Sequence, residues 1–323
     1  MTVDAPPLRR PAAGEPLPPA AGDPPRRPWR SRLHSAEART APYAYVAPFF
    51  AVFLAFGLFP LVYTAWISLH RYRLGSKMSW VGLDNYTWLF SNPSFYNALW
   101  KTVTIGVLST VPQLAIALGL AHLLNYKLRG RTFLRVAMLM PYATSVAAAT
   151  LVFALIFGRD AGLVNGLLGA VGIDPVDWRN GDWTAQVAIS VIVIWRWTGY
   201  NALIYLAGMQ SISSDLYEAA ALDGARGFTL FRTITWPALR PVVGMALVLQ
   251  LIASMKIFGQ TYILTTGGPF NTTRVTLHYM YETAFTQSDA GYAAAIAMAF
   301  VAIVIALSLL QAGFVRWLAR RDA

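Results

Sequence analysis

Long runs without any Asp, Glu, Lys or Arg constrain the fold of this chain more than any other feature. A helix needs about 20 residues to cross the hydrocarbon core of a bilayer, and each run is longer. Four runs are uninterrupted: 44–69, 102–126, 136–158 and 290–315. Two more hold one charge each: 183–214 with Arg196, and 241–273 with Lys256. We therefore predict an all-α membrane protein with about six transmembrane helices, at approximately 44–69, 99–124, 134–157, 187–210, 238–260 and 291–315.

Composition agrees with a membrane protein and argues against several other classes. Hydrophobic residues make up 56% of the 323 residues and charged residues 13%, whereas a soluble domain has roughly a quarter charged residues. The chain contains no cysteine and four histidines without ligand spacing, so disulfides, thiolate metal sites and histidine-based chemistry are not expected. We predict no catalytic residue and no metal site.

The basic residues follow the predicted membrane topology. The net charge is +11, and Arg and Lys collect at both termini and in the loops on the same side of the membrane. By the positive-inside rule that side is the cytoplasm, which predicts cytoplasmic N- and C-termini. Arg71, Arg73 and Lys77 follow the first span and are the exception. This distribution favours a membrane surface over nucleic acid as the partner of the basic residues.

Changes in composition divide the chain into four predicted segments. Residues 1–42 are rich in Pro and Arg without an apolar run, which predicts a disordered cytoplasmic tail. No apolar core follows its charges early enough for a secretory signal peptide. Residues 43–98 hold the first transmembrane helix and an extracytoplasmic loop, 99–318 the core with spans two to six, and 319–323 a cytoplasmic C-terminus.

The loop at 213–241, between the fourth and fifth spans, is too polar to span and too regular to be a linker. Ser213 or Ser214 can cap a helix, and Asp215 and Glu218 place negative charge near its positive end. We predict a short helix lying on the cytoplasmic face.

Two glycines and two prolines organise the rest of this loop. Gly224 and Gly227 permit a sharp turn, and a second short helix is predicted at 228–233. Pro237 and Pro241 then mark the entry into the fifth span. The loop is therefore predicted to be a compact helix-turn-helix.

Residues of this loop resemble the signature of the permease subunits of binding-protein-dependent ABC importers. That signature is Glu-Ala-Ala, three residues, Gly, nine residues, then Ile, one residue, Leu and Pro. The matching residues are Glu218, Ala219, Ala220, Gly224, Ile234 and Pro237. Trp236 stands in place of the Leu, one apolar residue for another.

Other segments are similar to the carbohydrate-uptake branch of that family, which includes maltose and glycerol-phosphate permeases. They are WTGYN at 197–201, YLAGMQ at 205–210, VGLDNY at 81–86 and LTTGGP at 264–269. The resemblance covers most of the chain from about residue 43 onward and implies a sugar permease of a bacterial plasma membrane.

The resemblance implies a heteromeric machine in which this chain forms half of the translocation pathway. Its expected partners are a second permease subunit, two cytoplasmic ABC ATPase subunits, an extracytoplasmic sugar-binding protein, the sugar substrate and membrane lipid, without nucleic acid. The sequence contains no Gly-x-x-x-x-Gly-Lys-Ser/Thr loop. ATP and Mg are therefore expected on the partner ATPase, and this chain is expected to be no enzyme and to hold no cofactor.

The resemblance also implies a coupling role for the loop. We predict that its first helix enters a groove of the ATPase; the alternative is a helix that rests on lipid headgroups. The residues predicted to contact the ATPase are Glu218, Ala219, Ala220, Asp223, Gly224, Arg226 and Gly227.

Polar and aromatic residues within two spans are the candidates for a sugar path, because a neutral polyol needs hydrogen bonds and flat apolar faces. They are Arg196, Trp197, Tyr200, Asn201 and Tyr205 in the fourth span, with Gln250, Ser254 and Lys256 in the fifth. For each group a structural alternative stays open. Arg196 could pair with a neighbouring helix, the amides could hold spans together, and Lys256 could extend to water.

Two other functions are weighed against sugar import. A permease for amino acids or peptides would share the same loop and the same partners. An ion-coupled secondary transporter would need carboxylates within the membrane, yet no Asp or Glu lies inside the six predicted spans. The sequence therefore favours an ATP-driven importer.

Overall fold

The computed structural model describes residues 43–126, 129–268 and 270–321. The tail predicted for 1–42 lies outside them, as do residues 322–323 of the predicted C-terminal segment. Contacts between residues divide the chain into two units, 1–60 and 61–323. The described part of the first unit is helical and contains a π-helical turn at Leu54–Leu58.

Helices make up most of the described residues. They are α1 Tyr43–Ser68, α2 Asp84–Ser91, α3 Pro93–Asn125, α4 Arg131–Ala143, α5 Val146–Ile156, α6 Leu163–Ala170, α7 Asp182–Gln210, α8 Ser214–Leu222, α9 Phe228–Met255, α10 Gly259–Thr265, α11 Thr276–Tyr281 and α12 Ala290–Arg321. Two short strands, β1 His70–Arg71 and β2 Ser79–Trp80, pair in antiparallel fashion after α1.

The prediction of an all-α membrane protein with about six spans is confirmed. Among the described residues, five helices are long and apolar enough to cross a membrane: α1, α3, α7, α9 and α12. The pair α4 and α5 is a sixth candidate if both helices count as one broken span. The protein is therefore an all-α membrane protein in which one of the spans is interrupted.

The structure corrects the prediction of a continuous third span over 134–157. Helices α4 and α5 meet at an angle of 94°. Pro141 has no N–H and so removes one hydrogen bond from the last turn of α4. Thr144 then adopts an extended backbone, and its hydroxyl donates to the carbonyl of Pro141 at 2.6 Å. The chain leaves the helix at this point and restarts at Val146 in a new direction.

The structure also corrects the predicted entry into the fifth span. The separate short helix predicted at 228–233 is wrong, because α9 runs without interruption from Phe228 to Met255. Its second turn, over Phe231–Thr235, is π-helical and so has hydrogen bonds between residues five apart. Pro237 follows this turn after one residue, Trp236. The span also ends earlier than the predicted residue 260.

Small residues allow the central helices to pack closely. Helices α3, α7 and α9 share a buried cluster that includes Ala117, Ala121, Ala202 and Ala246. A Cβ atom at Gly199 of α7 would overlap the backbone carbonyl of Met138 in α4. Such close contact is typical of helices within membranes, where van der Waals packing and hydrogen bonds hold spans together.

Candidate functional sites

Arg196 of α7 lies at the break between α4 and α5. Its guanidinium donates to the backbone carbonyl of Thr144, and to that of Pro141 at 3.4 Å. The carbonyls at the end of a helix have no partner within the helix, so a cation with several N–H groups can satisfy them. These contacts agree with the structural alternative for Arg196, in which its side chain pairs with a neighbouring helix and does not bind substrate.

Aromatic rings surround the same break. Tyr142, the residue after Pro141, stacks on Tyr200 with ring centroids 4.9 Å apart and meets Trp197 edge-on at 5.1 Å. The guanidinium carbon of Arg196 lies 5.9 Å from the centroid of the Tyr142 ring. The structure therefore brings together three of the residues predicted for the sugar path, and adds Tyr142. Sequence analysis missed Tyr142 because only the break places it beside α7.

A chain of amide groups joins three spans next to this site. The Asn201 amide donates to the side-chain oxygen of Gln250 at 3.4 Å, and the Gln250 amide donates to that of Gln113 at 3.2 Å. All three side chains are buried, and they connect α7, α9 and α3. Sequence analysis named two of them and missed Gln113, although a Gln within an apolar run was the available signal.

The three remaining residues predicted for the sugar path differ in their surroundings. Tyr205 is buried in the cluster shared by α3, α7 and α9. Ser254 is buried and donates to the carbonyl of Leu251 at 2.9 Å within its own helix. Lys256 is exposed and follows the last residue of α9. A role for these residues in substrate binding stays a prediction.

A second interruption lies beside the first. Helix α9 ends at Met255 and α10 begins at Gly259, so Lys256 belongs to a non-helical connection. A Cβ atom at Gly259 would lie 3.0 Å from Val146, the first residue of α5. Within a bilayer, such irregular backbone occurs where it is buried in protein or lines a cavity. The two interruptions are therefore neighbours at the start of α5.

Helix α8 and the turn after it form the elbow, residues 214–227. The Ser213 hydroxyl accepts a hydrogen bond from the backbone N–H of Asp215 at 3.3 Å, which confirms the predicted cap. Gly224 and Gly227 have φ angles of 80° and 50°, which suit glycine and confirm the predicted sharp turn. Helix α8 has no buried residue.

One side-chain contact ties the elbow to α9. The hydroxyl of Tyr217 lies 2.9 Å from that of Thr235, a hydrogen bond in which either group donates. Thr235 is buried and is the last residue of the π-helical turn. The elbow is thus connected to the fifth span by a hydrogen bond as well as by the chain. Neither residue was a site candidate in the sequence.

A group of charged and titratable side chains, Arg274, His278 and Glu282, of which only His278 is buried, lies in the chain between α10 and α12. Glu282 contacts Arg274 at 3.3 Å and His278 at 3.4 Å, and the Arg274 guanidinium lies 4.9 Å from the ring centroid of Tyr279. Burial lowers the pKa of His278 below its ordinary value, the charge of Glu282 opposes this, and Arg274 adds to it. Among the described residues, no group of three or more His, Asp or Glu could hold a metal ion.

Comparisons with known proteins place this geometry in context. Residues 113–321 match the family described as the inner membrane component of binding-protein-dependent transport systems. The arabinooligosaccharides transport system permease protein AraP of Bacillus subtilis (strain 168) is 35% identical over 286 residues, covering 88% of this chain and 90% of the relative.

Two further similarities extend over almost the whole chain. The trehalose/maltose transport system permease protein MalF of Thermococcus litoralis is 33% identical over 293 residues, which cover 90% of this chain and 98% of that protein. A chain in the crystal structure of a bacterial ABC transporter involved in the import of the acidic polysaccharide alginate has a TM-score of 0.77 and 23% identity, covering 88% of this chain and 98% of that chain. The similarity to this solved structure supports the fold.

Proposed function

Because the chain belongs to the family of inner membrane components of binding-protein-dependent transport systems, we propose that it is the transmembrane subunit of an ATP-driven sugar importer. The main observation behind this proposal is that relatives aligned over most of the chain are named for the transport of sugars. These sugars are arabinooligosaccharides, trehalose and maltose, and lactose. The family consists of permease subunits, so this chain is no enzyme and ATP hydrolysis belongs to a separate subunit. An amino acid or peptide permease is not favoured by these relatives.

The proposed assembly follows the family. Its partners are a second permease subunit, two ABC ATPase subunits that bind ATP and Mg, and an extracytoplasmic sugar-binding protein. Another solved alginate transporter is a complex with a periplasmic protein that carries an alginate pentasaccharide. We place the subunit in a bacterial plasma membrane with both termini in the cytoplasm, and residues 99–318 as the permease core.

The break in the third span and the non-helical connection that follows the fifth span support a sugar path beside the start of α5. Non-helical backbone in a membrane is tolerated where it lines a cavity, and transporters commonly bind their substrates at broken helices. Tyr142, Trp197 and Tyr200 offer flat faces there, and Lys256 is exposed nearby. In this proposal Arg196 positions the break, because its guanidinium is held by two backbone carbonyls.

The elbow is proposed to receive the ATPase. Glu218, Ala219 and Asp223 are exposed, and α8 buries no side chain against its own chain, so a groove on a partner can take it up. The hydrogen bond from Tyr217 to Thr235 carries a displacement of α8 to the π-helical turn of α9. π-Helical turns are frequent at functional sites. The elbow would thus transmit nucleotide-driven closure to the fifth span.

Uptake by the reconstituted complex tests the substrate class. The complete complex is placed in lipid vesicles with ATP inside, on the side of the ATPase, and the binding protein outside. We expect accumulation of labelled arabino- or malto-oligosaccharides that stops when ATP is omitted, and none of labelled amino acids. Accumulation of amino acids alone, or of sugars without ATP, would overturn the proposal.

Charge reversal in the elbow tests coupling. We expect Glu218→Lys to abolish uptake by releasing or uncoupling the ATPase, while the exposed position leaves the fold intact. Co-purification of the ATPase and ATP hydrolysis distinguish the two causes. Uptake at the wild-type rate in this variant would remove Glu218 from the contact.

A matched pair of threonines tests the connection to α9. Thr235→Val removes the hydrogen bond to Tyr217, whereas Thr233→Val changes an exposed threonine of the same turn that bonds only the carbonyl of Thr229. We expect fewer sugars carried per ATP hydrolysed in Thr235→Val and an unchanged ratio in Thr233→Val. Equal ratios in both variants would refute this route of transmission.

A further inference from the structure

A polar pocket lies where α3 and α12 begin, at the end of the spans that is opposite to the elbow. Its cavity of about 780 Å³ is lined by residues of β1, α2 and α11 and by the first residues of α3 and α12. The start of α7 lies at the same level, because Lys101 of α3 pairs with Asp182, the first residue of α7, at 3.0 Å. The elbow follows the other end of α7. In the proposed orientation the pocket therefore opens on the extracytoplasmic side.

One face of α2 carries side chains that suit a saccharide. Asp84, Thr87, Trp88 and Ser91 recur at three- and four-residue spacing, and all four line the pocket. Trp88 is 62% exposed, so its flat ring is open to a ligand. The Thr87 and Ser91 hydroxyls donate to backbone carbonyls of α2, and their oxygens can still accept. A sugar ring has an apolar C–H surface for the aromatic face and hydroxyls for the polar groups.

Arg71 and Asp84 bring opposite charges to the pocket without pairing with each other. Both side chains are exposed, and neither forms an ion pair with another described residue. The other two arginines of the pocket, Arg73 and Arg274, each contact a carboxylate, at 3.7 and 3.3 Å. The charges of the pocket are therefore balanced, with one guanidinium and one carboxylate free. A diol suits both, because its hydroxyls accept from a guanidinium and donate to a carboxylate.

The inner wall of the pocket offers two further donors. Asn92 donates to the hydroxyls of Tyr279 and Tyr292 at 3.1 and 3.2 Å, and the two hydroxyls lie 3.1 Å apart. One tyrosine therefore donates to the other, and the second hydroxyl hydrogen has no acceptor in the described part of the chain. The two tyrosines are 5% and 7% exposed. The buried Nε of Arg274 also has no hydrogen-bond partner there, so both donors favour a ligand oxygen.

We propose that this pocket is a binding site for a short neutral oligosaccharide, separate from the sugar path within the spans. One sugar ring lies against Trp88, its hydroxyls bridge Arg71 and Asp84, and another sugar oxygen accepts from the tyrosine pair. The choice of ligand class rests on the proposed function. A contact with ligand also gives a reason for Arg71 and Arg73 to depart from the positive-inside rule. An acidic protein segment is disfavoured, because it would face the unpaired Asp84 carboxylate.

Protection of a single thiol tests the proposal. The chain has no cysteine, so Gln287→Cys introduces a unique thiol at an exposed position that lines the pocket. The full-length variant in mild detergent is reacted with a bulky maleimide, with and without arabinotriose, maltotriose or lactose. We expect at least one of these sugars to slow the reaction. At a sugar concentration of about four times Kd, mass action predicts a reaction that is about fivefold slower.

Matched variants locate the protection. Lys77→Cys places the thiol at an exposed position on the same side but outside the pocket, and its reaction rate should not respond to sugar. In the Gln287→Cys background, Trp88→Ala should raise the concentration for half-protection about tenfold, near the upper value of one aromatic contact. Trp100→Ala should leave that concentration unchanged, because Trp100 is also 62% exposed but does not line the pocket.

A second pair of variants tests the polar contacts. Arg71→Gln/Asp84→Asn removes the two free charges at exposed positions, so the variant is expected to fold and to lose protection. Lys77→Gln is its control. Size-exclusion chromatography checks every variant. Saturation-transfer NMR of the same sugars with the wild type and with Trp88→Ala measures the contact without an introduced thiol, and the signal should fall in Trp88→Ala.

Three outcomes would overturn the proposal. These are no protection by any of the three sugars, equal protection at Lys77→Cys, and protection by a Glu-rich peptide but by no sugar, which would indicate a docking site for an acidic protein segment. The measurement needs neither ATP nor partner subunits. Its failure would therefore leave the proposed importer intact, whereas failed uptake by the reconstituted complex with intact protection would leave this site intact.

Discussion

Two polar sites on α7 lie within two turns of each other, and their side chains find hydrogen-bond partners within the membrane in different ways. Asn201 belongs to the amide chain with Gln250 and Gln113, which is enclosed by three helices. Arg196 binds backbone carbonyls at the break between α4 and α5, beside rings that remain partly exposed. One site is neutral and joins intact spans, whereas the other is charged and accompanies an interrupted span.

The difference follows from the hydrogen-bonding groups of the side chains. An amide carries both donors and acceptors, so amides can satisfy one another inside a bundle without changing any backbone. Arginine carries five N–H donors and no acceptor, so within a span it needs a set of acceptors. The free carbonyls at a helix end supply them. The partly exposed Arg196 is therefore matched to the carbonyls at the break between α4 and α5.

Replacement of Arg196 should have the largest effect. Arg196→Leu leaves the carbonyl of Thr144 without this donor, at about 1.5–3 kcal/mol for a hydrogen bond to a charged group, whereas the carbonyl of Pro141 keeps its hydrogen bond from the Thr144 hydroxyl. We expect sugar uptake to fall at least tenfold together with thermal stability, and Arg196→Lys to recover part of both. Arg159→Leu, which removes an exposed arginine, is the control. Lost uptake with unchanged stability would mean that Arg196 acts on the substrate. The contrast between Arg196 as a structural partner of the break and the structural amide chain would then be wrong.

Interruption of the amide chain should have a smaller effect, on stability. Gln250→Leu leaves the Gln113 oxygen unpaired, whereas the Asn201 amide keeps its hydrogen bond to the carbonyl of Trp197 at 3.1 Å. We expect a loss of about 1 kcal/mol. Removal of all three amides in Gln113→Leu/Asn201→Leu/Gln250→Leu leaves nothing unpaired and should cost less than three times the single change. Thermal unfolding in detergent measures both. Additive losses would show that the three amides act independently.

A change of pH should have the smallest effect and should spare both sites on α7. The pKa of His278 is lowered by burial, so the folded chain binds fewer protons than the unfolded chain below the ordinary value of 6.5. Stability from this group is therefore complete above that pH and is lost as the pH falls through the lowered pKa. We expect His278→Asn to reduce the slope of thermal stability against pH in this window. An unchanged slope would exclude His278 as its cause.

The sequence could predict the spans but not their interruptions. Long apolar runs follow from the membrane itself, so five spanning helices were recognisable from composition alone. The break at Thr144 is contacted by Arg196, which is distant in sequence, and a proline in a transmembrane helix often leaves the helix continuous. The start of α9 was missed because a π-helical turn has no signal of its own in the sequence.

The candidate sites were predictable to different degrees. The elbow is a local structure, and Ser213, Gly224 and Gly227 predicted its cap and its turn. The sites within the spans arise from contacts between helices, so the residues were named without their partners. Tyr142 became recognisable only when α4 was placed against α7, whereas Gln113 could have been noticed as a Gln within an apolar run.

The π-helical turn Phe231–Thr235 has a consequence for how this protein can vary in evolution. In a π-helical turn each hydrogen bond joins residues five apart, one more than in an α-helix, so the turn contains one extra residue. Deletion of a single residue there would yield a regular helix of the same direction, whereas a deletion elsewhere in α9 would rotate its faces by about 100°. Related genes can therefore gain or lose one codon at this position, and a one-residue gap in their alignment is compatible with an unchanged architecture.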